Sequence, residues 1–330
     1  MGKADTATTS FMRQHHVFAD AFNFFLYQGY PVIDPGQLRD LDPAELVMPY
    51  GADQKSEPVQ KYRDIQKGLA AMEDGKMAYI LLGIENQTHV HYAAPVKGML
   101  YDALQYARQV EQTGRKHREN KEYQGRGSGE FLAGFYKEDK LLPVITLFIS
   151  FSPEKWDGPR SLAEMVGVKD EAVLARMPDY HINLVSPAEI EKNEFERFHS
   201  SLGDVLEFIK YSCDKKKLME WLHEEKPELV MGRKEVEVLN ACVNAKLMIR
   251  PEEEEVEVCK AIEDYKMEAV EKATKEVTKK VTQQVTQQVT ESTRLSALKN
   301  LMKNTQWTAQ QAAAALGFSP EDTAKLLGKL

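Results

Sequence analysis

A chain of 330 residues with 42% hydrophobic side chains is long enough to bury one large core or two smaller ones. Its formal net charge of -8 excludes a protein that coats nucleic acid by bulk electrostatics, so any site for a polyanion must be local. No window approaches the roughly 18 to 20 consecutive apolar residues of a membrane helix, and the polar start "MGKADTATTS" contains no apolar signal region. We therefore expect a cytoplasmic protein, and the three widely spaced cysteines suit a reducing compartment.

The first half of the chain alternates between helical and extended patterns. Residues 11–27, "FMRQHHVFADAFNFFLY", are apolar nearly all round, which predicts a buried helix. The next stretch, "GYPVIDPGQLRDLDP", contains Gly, Pro and Asp signals that break it. Residues 57–66 predict a short strand with weak alternation, and residues 77–87 predict the clearest strand in the chain.

A second group of elements follows. The stretch "HYAAPVKGMLYDALQYARQVEQ" predicts a long helix that tolerates Pro95 only in its first turn, and "LLPVITLFISFS" predicts another strand. A short strand in "YHINLVSP" and helices over 198–245 complete the pattern. The order of these elements predicts an α/β fold with a central sheet and excludes a helical bundle.

The composition changes from about residue 246. Residues 260–303 lack Gly and Pro, and Val277, Val281, Val285 and Val289 recur every four residues. A step of four overshoots a helical turn by about 40°, so the valine stripe favours a right-handed wrap between partner helices and predicts a homo-oligomer. The last segment predicts two short helices with "GFSPED" between them; this pattern fits a helix-turn-helix that reads DNA, and it equally fits any small helical hairpin.

One strand ends in an unusual way. The apolar run over 79–84 ends in "ENQ", and because strand residues i and i+2 share a face, Glu85 and Gln87 are expected to point the same way. Asp64 and Asp20 are the acidic residues that could join Glu85. Two carboxylates about 4 Å apart repel by roughly 4 kcal/mol at an effective dielectric of about 20, so a shared site requires a cation or a proton between them. Oxygen ligands favour Mg²⁺ or Mn²⁺, while surface carboxylates at strand ends are the simpler alternative.

Several motifs resemble one known family. The segments "FADAFNFFL", "KYRDI", "ILLGIENQTHVHYAAPVKGMLYDALQY", "EFLAGFYKEDKLLPVITLFISF", "WDGPRSL" and "FIKYSCDKKKL" are similar, in this order, to the recombination-promoting nuclease/putative transposase family of bacterial PD-(D/E)XK proteins. The resemblance covers roughly residues 11–245. It implies a restriction-endonuclease-like core and metal-dependent cleavage of DNA.

The resemblance also implies roles for individual residues. Asp64 and Glu85 match the metal-binding acids of the family, Asp20 resembles a helix acid that often precedes them, and Gln87 stands where a lysine is usual. Lys97 and Tyr101 match positions on the helix that follows, and we expect them to contact DNA. Because Gln87 has no charge, its part in activating water is in doubt, whereas metal binding is unaffected.

A basic segment is the second candidate for DNA contact. Arg115, Lys116 and Arg118 crowd the stretch before a Gly-rich loop, where they could bind phosphates. Glutamates are interleaved with them, so a solvated helix end is an equal alternative.

Two functions follow from these observations. The first is a Mg²⁺-dependent DNA endonuclease, with Mn²⁺ as a possible substitute, that acts in recombination or transposition. The second is a DNA-binding or scaffold protein that keeps the nuclease fold, turns over weakly and oligomerises through its tail. The expected domains are a nuclease-like domain over 1–245, a long helix or coiled coil over 246–303 and a helical hairpin over 304–330.

Overall fold

The computed structural model describes residues 2–40, 44–47, 59–62, 65–69, 80–122, 124–250 and 252–328. It divides the chain into two compact units, one up to Ala261 and one from Ile262 onward. The helices are α1 (Lys3–Met12), α2 (His15–Tyr27), α3 (Ala94–Glu119), α4 (Ser128–Ala133), α5 (Leu162–Met165), α6 (Glu171–Leu174), α7 (Ser201–Tyr211), α8 (Lys215–Glu220), α9 (Arg233–Val243), α10 (Val258–Thr305), α11 (Ala309–Ala315) and α12 (Pro320–Leu327). The strands are β1 (Leu38–Asp40), β2 (Ala44–Val47), β3 (Val59–Tyr62), β4 (Ile65–Leu69), β5 (Ile80–Gln87), β6 (Val144–Ser150), β7 (Asn183–Val185), β8 (Val230–Gly232) and β9 (Glu255–Glu257).

A five-stranded mixed sheet organises the first unit. Its strand order is β1-β4-β5-β6-β7, with antiparallel pairing of β1 with β4 and of β4 with β5, and parallel pairing of β5 with β6 and of β6 with β7. Helix α3 connects β5 to β6 and packs against β6, as a parallel pair requires a crossover connection. The predicted α/β class with a central sheet is therefore confirmed.

The N-terminal region differs from the prediction. The single helix expected over 11–27 is wrong, because α1 ends at Met12 and α2 begins at His15. Gln14 between them has an extended backbone, with φ -65° and ψ 127°, which stops the first helix. The apolar pattern is continuous across this break because both helices bury their aromatic side chains, so periodicity alone did not reveal it.

The main predicted strands and the long helix agree with the structure where it describes them. Strand β5 covers the predicted strand from Ile80 onward, and residues 77–79 lie outside the described residues. The single strand predicted over 57–66 is wrong, because β3 and β4 belong to different sheets. Residues 57–58 and 63–64 lie outside the described residues. Pro95 lies in the first turn of α3, as expected, where its missing N–H breaks no helical hydrogen bond.

A buried cluster joins α3 to the sheet. Ala94 at the start of α3 packs with Phe148 of β6, Trp156 and Ile182. Gly98, one turn further along α3, is required by this contact, since a Cβ at that position would lie 2.8 Å from the Tyr180 hydroxyl. The close approach holds the start of α3 against β6 and Tyr180.

The second unit is helical. Thr308 caps α11 and Ser319 caps α12, and Gly317 between them has φ +72°, a conformation that glycine adopts without strain. The predicted pair of short helices with "GFSPED" between them is present as α11 and α12. Leu298 of α10 is buried against Ala312, Ala313 and Leu326, so the hairpin folds back on the end of the long helix.

A long helix is present, but it begins at Val258 after β9 and not near residue 246 as predicted, and its valine stripe is open to solvent. Val277, Val281, Val285 and Val289 are 59%, 49%, 50% and 59% exposed. The boundary between the two compact units falls at 261/262, within α10, whereas the composition changes near residue 246.

Candidate functional site

The carboxyl ends of β5 and β6 lie side by side at one edge of the sheet. In the parallel register Glu85 is opposite Phe148 and Gln87 is opposite Ser150. The N–H of Phe151 donates to the Gln87 carbonyl at 2.8 Å, which continues the pairing past the end of β6. Gln87 and Ser150 are buried, at 6% and 4% exposure. Open α/β sheets commonly bind ligands at this edge of parallel strands.

Antiparallel pairing places the start of β4 opposite the end of β5. Strand β4 begins at Ile65, which pairs with Ile84 of β5. Asp64 is the sequence neighbour of Ile65, and Glu85 is the neighbour of Ile84. Asp64 itself and the side chain of Glu85 lie outside the described residues, so the predicted carboxylate pair stays a prediction.

Asp20 belongs to α2, and its carboxylate contacts the residues that begin α7. Its Oδ2 accepts hydrogen bonds from the Ser200 N–H at 2.8 Å and the Ser200 hydroxyl at 2.6 Å. The His199 N–H donates to both carboxylate oxygens at 3.0 Å. Burial of this carboxylate is balanced by these bonds, and Ser200 in turn caps α7 by accepting from the Leu202 N–H.

These bonds support the interpretation of Asp20 as a residue that orients neighbouring elements. Its role as a metal ligand stays a prediction. Asn23, one turn further along α2, also has partners, because its amide donates to the Ile33 carbonyl at 3.0 Å and accepts from the Ile33 N–H at 2.7 Å. Both buried polar side chains of α2 are therefore hydrogen-bonded, as burial requires.

The two residues expected to contact DNA on α3 lie together. The Lys97 Nζ is 5.7 Å from the centre of the Tyr101 ring. Tyr101 is 6% exposed, so its ring belongs to the core, and Lys97 is half-buried. Within α3, Lys97 is therefore the better placed of the two to reach a phosphate.

Sequence reasoning missed a polar network beside these residues. Asp102 of α3 accepts a hydrogen bond from the Thr146 hydroxyl at 2.6 Å and one from the Tyr180 hydroxyl at 2.7 Å. Thr146 is fully buried in β6, opposite Gly83 of β5. The network ties α3 to the strand pair that carries Glu85. A buried threonine within an apolar strand is the only signal of it in the sequence.

The basic segment forms the exposed end of α3. Arg115 pairs with Glu111 one turn earlier at 3.2 Å, as the interleaved glutamates predicted. Lys116 and Arg118 are exposed and form no ion pair with any residue that the structure describes. These two side chains are therefore available for phosphate, whereas Arg115 is partly neutralised.

His117 anchors the loop that follows this segment. Its Nδ1 lies 2.5 Å from a Glu122 carboxylate oxygen and its Nε2 lies 2.9 Å from an Asp139 carboxylate oxygen, an arrangement that favours the doubly protonated imidazolium. The ring also stacks on Tyr136 at 3.8 Å. The hydrogen bond to Glu122 is the largest of the effects that raise the pKa of His117.

The described residues do not by themselves form a metal centre. No group of three or more His, Cys, Asp or Glu side chains within the described ranges is close enough to hold a metal ion. Two of the three predicted ligands, Asp64 and the side chain of Glu85, lie outside those ranges, and the third, Asp20, has both oxygens engaged. Among the helices that are described, none is long and apolar enough to cross a membrane.

The fold defines a mixed α/β protein with a small parallel sheet and a long C-terminal helix. No family model, curated protein or solved structure matches the chain. The function is therefore inferred from the site and from the sequence motifs alone.

Proposed function

We propose that the protein is a metal-dependent DNA endonuclease of the PD-(D/E)XK type that acts in recombination or transposition. One observation carries the proposal: Asp64 and Glu85 directly flank the register pair Ile65 and Ile84, at the end of a strand that is part of a mixed sheet. The strand order, with an antiparallel β4–β5 pair followed by α3 and parallel β6, provides a rigid support for such a site.

In this proposal Asp64 and Glu85 hold the divalent cation. A bound Mg²⁺ or Mn²⁺ supplies polarisation of a phosphoryl oxygen and a lowered pKa for a coordinated water. Gln87 contributes a neutral amide at the same strand end, where it positions a water or a phosphate oxygen. Asp20 acts one step further away, by fixing the start of α7 relative to α2.

The proposed DNA path follows the exposed side of α3. Lys97 lies near its N-terminal end, and Lys116 and Arg118 lie near its C-terminal end. These cations bind the phosphate backbone without reading the sequence.

A second candidate function is a DNA-binding or scaffold protein with weak turnover. It is favoured by Gln87, whose neutral amide is 6% exposed and replaces a charged lysine. The exposed valines of α10 fit a scaffold that assembles into oligomers.

Nicking of supercoiled plasmid tests the proposal and separates the two functions. The endonuclease should nick the plasmid with Mg²⁺ and leave it intact with EDTA, and Asp64→Ala and Glu85→Ala should each abolish the activity because each removes a metal ligand. Glu228→Ala, which removes an exposed carboxylate from the surface, is the matched control and should cut like the parent. Circular dichroism confirms that the variants are folded.

Gln87 provides a graded test. Gln87→Ala should reduce nicking less than loss of either acid, because it removes no charge from the site. Gln87→Lys should raise the rate by placing a cation near the phosphate, since the two neighbouring carboxylates stabilise a buried ammonium. Equal cutting by the parent, Asp64→Ala and Glu85→Ala would exclude these residues as the active site.

A further inference from the structure

A cleft in the first unit, away from the β5 strand end, contains a buried carboxyl group that the proposed nuclease site does not use. The cleft has a volume of about 1030 Å³, large enough for a small organic molecule. Its walls come from the segment over 191–201, from α7 and from the end of the π-helical turn Trp221–Glu225 with Lys226.

Glu207 lies in the wall of this cleft. It is 5% exposed and belongs to α7, whose other buried residues are Leu202, Gly203, Val205, Leu206, Phe208 and Ile209. Burial raises the pKa of Glu207 to about 7, against the opposing effect of Lys226. The carboxyl group is therefore about half ionised at neutral pH, and its charge depends on what occupies the cleft.

Among the residues that the structure describes, none forms an ion pair with Glu207, because the two lysines of the cleft pair with other carboxylates. The indole N–H of Trp221 acts to lower the pKa of Glu207, but Trp221 Nε1 forms no hydrogen bond of normal geometry within the described part of the chain. Lys226 is the cation that lowers the pKa of Glu207, but its ammonium group donates its hydrogen bond to Asp204 at 2.8 Å. A buried carboxylate that lacks a direct partner is costly and is characteristic of binding sites.

The charged side chains that line the cleft favour a positively charged ligand. The lining holds three more carboxylates than ammonium groups. Both of its lysines are engaged, Lys226 with Asp204 and Lys192 with Glu225 at 2.7 Å. An anion would therefore meet an excess of negative charge, whereas a cation could approach Glu207.

Two aromatic side chains also belong to the lining. Phe195 and Phe198 line the cleft, and both are buried, at 6% and 8% exposure. Aromatic walls and an unbalanced carboxylate suit an organic cation with an alkyl stem. A bare divalent ion is less suited, because no three ligating side chains converge in the described residues.

We propose that this cleft binds a small organic cation, with an ammonium or guanidinium group paired to Glu207 and an alkyl stem against Phe195 and Phe198. The cation would supply the missing partner of the carboxylate. This inference does not depend on the nuclease activity, because no residue of β5 that the structure describes lines the cleft and the proposed nuclease site does not use Glu207.

Calorimetric titration of the full chain with cadaverine, in the absence of DNA and metal ions, tests the proposal. Cadaverine carries two ammonium groups on an alkyl stem, and pentanediol is the neutral probe of the same length. We expect cadaverine to bind and pentanediol not to bind. Binding should weaken about tenfold between about pH 8 and about pH 6, because protonation of Glu207 removes the negative charge.

Other titratable groups face Glu207 and must be separated from it. They are Asp204 and Tyr211 of α7, Lys192, and Glu225 and Lys226 at the end of the π-helical turn. His199 also lines the cleft, with its Nε2 donating to the Gly29 carbonyl at 2.8 Å. Only a pH dependence that disappears in Glu207→Gln is assigned to Glu207.

Glu207→Gln should weaken cadaverine binding by about tenfold or more, since it removes a charge-assisted hydrogen bond, and should remove the pH dependence. Glu228→Gln is the matched control, because it makes the same change at an exposed position outside the cleft, and should bind like the parent. The proposal is overturned if cadaverine fails to bind the parent at about pH 8, if pentanediol binds equally well, or if Glu207→Gln binds like the parent. If Glu207→Gln does not fold, the comparison of cadaverine with pentanediol on the parent protein still decides the proposal, because equal binding or no binding of cadaverine overturns it.

Discussion

At the scale of single residues, two ionisable side chains each form hydrogen bonds with more than one neighbour. Asp20 receives hydrogen bonds from His199 and Ser200, and His117 lies between two carboxylates. Each links parts of the chain that are distant in sequence. Their roles follow from partners that no local pattern in the sequence identifies.

His117 provides a prediction about pH. Its pKa is raised in the folded protein, so its contribution to stability is fully present below the ordinary value of 6.5 and is lost as the pH rises through the raised value. We expect an NMR titration of the His117 ring to give a pKa above 6.5, and Glu122→Gln to lower it because the largest cause of the shift is removed.

Glu119→Gln is the control for this experiment. Glu119 is an exposed residue of the same helix, and its substitution should leave the His117 pKa unchanged. A pKa of about 6.5 or lower in the parent would show that the two carboxylates do not hold the imidazolium in solution.

At the scale of elements, α10 is the longest helix of the described chain and the one whose regular apolar stripe faces solvent. Its valines recur every four residues, and each is about half exposed. β-branched residues slightly disfavour a helix, so their regular use on an exposed face requires a reason beyond helix formation. Contact with a second copy of the helix would provide that reason.

This stripe predicts that the full chain is a dimer or larger in light scattering at micromolar concentration. Val281→Lys with Val285→Lys should shift it towards the monomer, because two ammonium groups would be buried in the seam. Thr278→Lys with Thr282→Lys adds the same charge at exposed positions next to the stripe and should keep the oligomer. A monomeric parent would exclude the seam.

At the scale of the whole molecule, the chain is acidic, yet two exposed cations of α3 are without ion pairs among the described residues. The net charge of -8 repels DNA in general, so local contacts must carry any binding. Lys116 and Arg118 are the side chains of the basic segment that the structure leaves available.

If these residues bind the DNA backbone, Lys116→Ala with Arg118→Ala should weaken binding to all sequences alike. The slope of log affinity against log salt should fall by about two units, roughly one for each lost phosphate contact. Lys155→Ala with Lys169→Ala removes the same charge from other exposed positions and should leave the slope nearly unchanged. An unchanged slope in the first variant would show that the basic segment is a solvated helix end and does not contact DNA.

Much of the architecture could be predicted from local patterns. β5, β6 and β7 follow from runs of apolar and β-branched residues, and the end of the chain follows from Gly317 and a capping serine. The break between α1 and α2 was missed because both sides of it are apolar, and the short strands β1, β8 and β9 were missed because three residues carry too little pattern.

The sequence by itself determined the α/β class, the long C-terminal helix with its valine stripe, and the motif around Glu85, because these depend on periodicity and on neighbours along the chain. Only the tertiary structure decided the pairing of β4 with β5, the bonds of Asp20 and the burial of Glu207. Glu207 shows the physical reason. In "SLGDVLEFIKY" a glutamate beside an apolar stripe is expected to face water, but in the folded chain Glu207 is 5% exposed, and its burial raises the pKa of the carboxyl group.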